Sequence, residues 1–225
     1  MATWLLAAGL ALQWGLPAHE LAPQEAVLSL PPEIAREYEE RVLDQAGSAH
    51  HTVRETTDFL FDEAGMALSY RNLETLTVAE AFQRGEANCL SATMAFLVLA
   101  EQAGLNARAQ RVEQALVWDR REDTVFWVEH VNAGVLAAGR RYTVDFEMDL
   151  IGGKSNPQVI SRTRLIAHYY NNRAAELLAE DNLLSAYIAA RHALSLDEGF
   201  SAAWNNLAIV ERRLGRMEAA EASLM

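Results

Sequence analysis

Gly85-Glu86-Ala87-Asn88-Cys89-Leu90-Ser91-Ala92-Thr93-Met94-Ala95-Phe96-Leu97-Val98-Leu99-Ala100-Glu101-Gln102-Ala103-Gly104 decides how the chain is read, and its Cys89 is the only cysteine in 225 residues. Ala92, Ala95, Phe96 and Leu99 recur at helical spacing, with Val98 and Ala100 widening the apolar stripe. Gly104 ends the pattern as a C-terminal glycine does, and Asn88 is a good N-cap. Cys89 is therefore expected in the first turn of a largely buried helix. There the unpaired N–H groups and the positive end of the dipole favour a thiolate. A bland role, a small hydrophobe in a core helix, fits an isolated cysteine as well.

Downstream the period changes from 3.6 to 2. Residues 108–117 read as a strand, 118–123 as a polar turn, and Val125 to Val131 as a second strand. Gly139 marks another turn before a third strand, Tyr142–Phe146. A helix followed by antiparallel strands is an α+β order. His130 then lies on the second strand and Asp145 on the third, 15 residues apart, and a short turn can bring both to one face. An imidazole held by a carboxylate and aimed at a helix N-terminal thiol is the constellation for nucleophilic acyl transfer. The backbone N–H of Cys89 is the first candidate for an oxyanion donor, with Gln83 or Asn88 as a second. Ser91 is expected to bond backbone rather than act as a nucleophile.

Upstream, Leu5 to Leu16 is an apolar run broken only by Gln13, too short to span a bilayer but of signal-sequence length. No Lys or Arg precedes Arg36, so the basic segment of a signal peptide is missing, and Ala18 with Leu16 makes a mediocre cleavage site. On balance export is favoured over a cytoplasmic location. Residues 17–32 hold four of the five prolines and read as a linker, so 1–32 is set apart. Pro31-Pro32 opens a helix running to about Ala46, a second helix begins near Thr52 and ends at Gly65, and 68–76 reads as extended or irregular. Thr77 with Glu80 forms a capping box for a short helix to Gln83. Residues 148–160, with Gly152-Gly153 and Asn156-Pro157, read as a long loop.

From residue 163 the chain is helical and repeats. Tyr170-Asn171-Asn172-Arg173-Ala174 recurs 34 residues later as Trp204-Asn205-Asn206-Leu207-Ala208, with Ala186 matching Ala220 and Asp181 matching Gly215. A 34-residue period with two helices per unit is the tetratricopeptide signature, here about two units, the second incomplete. Asn172 and Asn206 occupy equivalent inner-helix positions, suited to holding a peptide carboxylate or to a plain inter-helix hydrogen bond.

Asn88-Cys89-Leu90-Ser91, then Ala103-Gly104-Leu105-Asn106-Ala107-Arg108, Glu129-His130-Val131-Asn132 and Val144-Asp145-Phe146 together resemble the bacterial transglutaminase-like superfamily, of papain-like fold. The resemblance covers about residues 35–160, and a tetratricopeptide tail is found in one group of that superfamily. It implies a transglutaminase-like domain over 33–160 and repeats over 163–225. It further implies Cys89 as nucleophile, His130 as general base and acid, and Asp145 as the orienting carboxylate of a peptidase, amidase or crosslinking enzyme. A peptide or protein would be the substrate, and the repeats would hold a protein partner. The alternative is a non-catalytic interaction module, with the papain-like core as scaffold.

The net charge of −12 argues against nucleic acid and anionic membranes as partners. No glycine-rich nucleotide motif is present, and no His, Asp or Glu set has metal-ligand spacing, so no cofactor or metal is expected. His50-His51 reads as a solvated helix end, and Arg212-Arg213 with Arg216 as a cationic helix terminus. Trp118, Phe126 and Trp127 suit a substrate groove or, more simply, a core.

Overall fold

The computed structural model describes residues 21–45, 47–71, 74–121, 124–146 and 157–225, with backbone alone for 113–129. The apolar run at Leu5–Leu16, most of the loop expected over 148–160, and the side chains of Trp118, Phe126 and Trp127 lie outside the described residues. The chain is mixed helix and sheet, and it divides into two compact units. One unit holds Pro23–Leu116 and Glu129–Leu165; the other holds Ile166–Met225 with Val117–Val128 and the segment ending at Ala22.

In the first unit, part of the proline-rich stretch is helical. A single helical turn, Gln24–Val27, follows Pro23 and buries Val27 and Leu28 completely or nearly so. Two buried apolar side chains outweigh the turn signals that the prolines send. Helix α1 (Pro32–Tyr38) starts with proline at its first position, as expected, but passes into a π-helical segment at Glu39–Leu43 instead of running on to Ala46. Helix α2 (Ala49–Phe61) begins earlier than Thr52 because Ser48 caps it, accepting from the His51 N–H. Leu68–Leu76 contains strand β1 (Ser69–Tyr70), paired in parallel with β2 (Glu86–Ala87). Between them the capping box is in place on helix α3 (Val78–Arg84): Thr77 Oγ1 accepts from Glu80 N, and the Glu80 carboxylate from Thr77 N.

Helix α4 (Cys89–Gln102) is the stretch quoted first. It is buried without interruption from Leu90 to Phe96, as befits a helix apolar on nearly every face. It ends in a Schellman motif: Gly104 takes φ +67°, its N–H bonds Glu101 O at 3.0 Å, and Leu105 N bonds Ala100 O at 2.9 Å.

The sheet is longer than the alternation suggested. Strand β3 (Asn106–Arg121) runs into the expected polar turn as far as Arg121, and β4 (Thr124–Ala137) follows. Next come β5 (Arg140–Val144) and β6 (Pro157–Val159), giving the order β5-β4-β3-β6. Strand β6 falls inside the region expected to be loop. Its Pro157 suits an edge strand, which has no further neighbour to receive the missing N–H. Strands β4 and β5 close through a two-residue turn, Ala137 pairing with Arg140. Both turn residues have positive φ (Ala138 +49°, Gly139 +76°), the type I′ geometry that matches strand twist.

The second unit is built from α5 (Arg162–Ala179, from Ile166 onward), α6 (Leu183–Leu196), α7 (Ser201–Arg213) and α8 (Met217–Ser223). The 34-residue offset is visible in its geometry: α5 and α7 end 34 residues apart, and α6 and α8 begin 34 apart. At the matched turns Asp181 and Gly215 both adopt positive φ, +58° and +75°. Each turn carries the same pair of terminal bonds, Asn182 N to Leu177 O and Asp181 N to Leu178 O, against Arg216 N to Glu211 O and Gly215 N to Arg212 O.

Candidate functional site

Three short segments of the first unit form the candidate site, and each is positioned by a local device. The first is the start of α4. Asn88 Oδ1 accepts from Ser91 N at 2.9 Å, capping the helix, while its Nδ2 donates to Thr75 Oγ1 at 2.8 Å. Ser91 is fully buried and pins the neighbouring segment: Leu76 N donates to its Oγ at 2.8 Å, and its hydroxyl donates to Leu76 O at 2.9 Å. Ser91 thus bonds backbone, but that of the segment before α3 and not, as its place in the helix suggested, that of its own helix. Between these two clamped residues Cys89 is left half-exposed. As the first helical residue, its N–H has no intrahelical carbonyl to bond.

The second and third segments belong to the β4–β5 hairpin. The register Ala133–Val144 continued by one step sets Asn132 opposite Asp145, with His130 two residues back on the same side of β4. Asp145 has left the ladder, lying one residue past β5 instead of on the strand, and its side chain reaches both positions. His130 Nε2 is 2.9 Å from Oδ1 and 2.9 Å from Oδ2 of Asp145, and Asn132 Nδ2 donates to Oδ2 at 2.8 Å. The His130 and Asp145 side chains are 1% and 8% exposed, so this contact is shielded from water and from salt screening. Nε2 faces the carboxylate, and Nδ1, on the other side of the ring, is buried.

The hairpin and the helix approach each other through Thr93, whose hydroxyl donates to Val131 O at 3.3 Å. Cys89 is one helical turn before Thr93, on the same helix face, and Val131 directly follows His130. Among the described residues, however, Cys89 makes no hydrogen bond to His130 or to any other group. The structure therefore brings His130 and Asp145 together and sets Cys89 in the adjoining helix start without a direct bond.

The remaining candidates fall elsewhere. Gln83 is exposed on the last turn of α3. Asn88 spends both ends of its amide on the helix cap and Thr75, so it supports the helix start. In the second unit Asn206 is 3% exposed and donates to Asn171 Oδ1 at 2.9 Å, an inter-helix bond, while Asn172 is half-buried. Asn132 is the one site residue to which sequence reading gave no role. Its position two residues after His130 was available, but its partner became visible only once the two-residue turn fixed the register.

Among the described residues no group of three His, Cys, Asp or Glu side chains is arranged to hold a metal ion. No helix among them is long and apolar enough to cross a membrane. Comparison with protein-family models, with curated proteins and with solved structures gives no match.

Proposed function

We propose that the chain is a cysteine-nucleophile acyl-transfer enzyme acting on amide bonds of peptides or proteins. In this reading its core is transglutaminase-like, of papain-like type, and its tail is built of tetratricopeptide repeats that hold a protein substrate or partner. The buried His130–Asp145 contact carries the reading, since an imidazole held by a carboxylate beside a helix-start thiol is the arrangement acyl transfer needs. In the mechanism the Cys89 thiolate attacks the acyl carbon, and its proton resides on His130 Nδ1. The tetrahedral oxyanion is met by the Cys89 N–H at the positive end of α4. His130 then protonates the departing amine and leaves a thioester on Cys89. Water or a second amine, deprotonated by the same imidazole, completes hydrolysis or crosslinking. Catalytic hydrogen bonds commonly tighten only with substrate in place, which accommodates the missing Cys89–His130 bond.

That missing bond is also the observation favouring the other reading, a non-catalytic scaffold whose repeats bind a partner. The pH dependence of Cys89 alkylation by iodoacetamide separates the two, and the single thiol makes it unambiguous. Enzyme chemistry requires a rate that stays high well below the free-thiol value of about 8.5 and collapses in His130→Ala. Labelling that follows an ordinary thiol titration and ignores His130→Ala would leave only the scaffold.

A further inference from the structure

We infer that Asn132 is the positioning residue of the dyad, the group that holds the Asp145 carboxylate with both oxygens toward His130. Its consequence at the thiol rests on the acyl-transfer reading above; its geometry rests on the His130–Asp145 contact alone. Asp145 lies one residue past the last paired residue of β5, and its carboxylate meets the side chains of His130 and Asn132. Asn132 supplies one directly from the cross-strand position, Nδ2 to Oδ2 at 2.8 Å, and is itself 2% exposed.

The opposite end of the amide supports the assignment. A carboxylate only accepts, so Nδ2 must face Asp145 and Oδ1 must face away. Oδ1 is buried there and makes no hydrogen bond among the described residues. An orphan acceptor in a dry site is a standing cost, and leucine, of similar size, would fill the space without it. What asparagine adds is the donor to Asp145. Without that donor Oδ2 loses the contact that orients it, and the hold of the carboxylate on His130 Nε2 is weakened.

The test compares full-length wild type, Asn132→Leu and His130→Ala. Two quantities are read: the pH profile of Cys89 alkylation by iodoacetamide, and the tautomer of the His130 ring from its nitrogen chemical shifts, assigned by difference against His130→Ala. Read at alkaline pH, where the ring is neutral, the wild type is expected to hold the Nε2–H tautomer. Asn132→Leu is expected to show mixed tautomers and about tenfold slower alkylation at pH 6, the size of losing one charge-assisted hydrogen bond. A simple packing residue would change the midpoint and leave the tautomer alone. An unchanged tautomer in Asn132→Leu overturns the inference. If wild type and His130→Ala alkylate alike, the acyl-transfer reading fails, but the tautomer still decides the role of Asn132. Asn132→Ala, which only removes atoms, serves the same test if leucine does not pack.

Discussion

Ser91→Ala removes one oxygen atom, and the structure allows its cost to be worked out. That hydroxyl accepts from Leu76 N at 2.8 Å and donates to Leu76 O at 2.9 Å. Ser91 is 0% exposed and Leu76 2%, so water cannot replace either bond. Alanine fits the space but strands a buried backbone N–H and a buried C=O. Each such group costs about 1–3 kcal/mol, and with partial relaxation the pair should cost about 2–4 kcal/mol. Against a typical total of about 5–15 kcal/mol this is a large share. Urea unfolding followed by circular dichroism at 222 nm should show the midpoint falling by about 1–2 M at unchanged slope, taking about 2 kcal/mol per molar as the slope. Cys89→Ser, two residues away and half-exposed, serves as the control and should cost less than about 1 kcal/mol. A loss below about 0.5 kcal/mol in Ser91→Ala would refute the claim that this hydroxyl ties the 74–77 segment to the start of α4.

Two further changes test the scaffold. Burial holds the His192 imidazole below its usual 6.5, with the ring stacked on Tyr170 at 3.9 Å. The unfolded ring therefore binds a proton near pH 6.5 that the folded ring refuses; stability is lost as pH falls below 6.5, and the loss ends once pH passes the lower folded value. The thermal midpoint should fall from pH 7.5 to 5.5 more in wild type than in His192→Phe, which keeps an aromatic ring on Tyr170 but cannot titrate; equal falls would exclude His192 as the cause. Ala138 takes φ +49° in the type I′ turn, a conformation asparagine tolerates better, so Ala138→Asn should stabilise the protein by about 0.5–1 kcal/mol in the same urea assay. A destabilised Ala138→Asn would contradict the turn assignment.

Features carried by local chemistry were legible in the sequence: the Asn88 cap, the Gly104 terminus, the Thr77–Glu80 box and the Gly139 turn all declare themselves within a few residues. So did the 34-residue offset, because Asp181 and Gly215 must satisfy the same backbone geometry. What escaped the reading depends on partners distant in sequence. The 17–32 stretch has the prolines of a linker, yet Val27 and Leu28 find a core that composition does not reveal. Strand β6 forms because residues 157–159 meet 110–112, and β1 because 69–70 meet 86–87. Residues 118–121 of the expected turn are polar and still strand, because alternation reports which face is wet rather than where a hairpin closes.

The candidate site joins two parts whose placement is determined differently. The start of α4 is over-determined: a cap, a side-chain bond to Thr75 and a two-point clamp on Leu76 fix the backbone around Cys89. Of the dyad, His130 lies within β4, whereas Asp145 stands one residue past β5 with its carboxylate against His130 and Asn132. Disturbing the hairpin can therefore displace the carboxylate while leaving the thiol in place. Local changes at Asn132 should act on reactivity as well as on stability, whereas changes at Asn88 or Ser91 should act on stability first. If the thiol and imidazole work as a pair, the hairpin is the half of the site through which their chemistry is tuned.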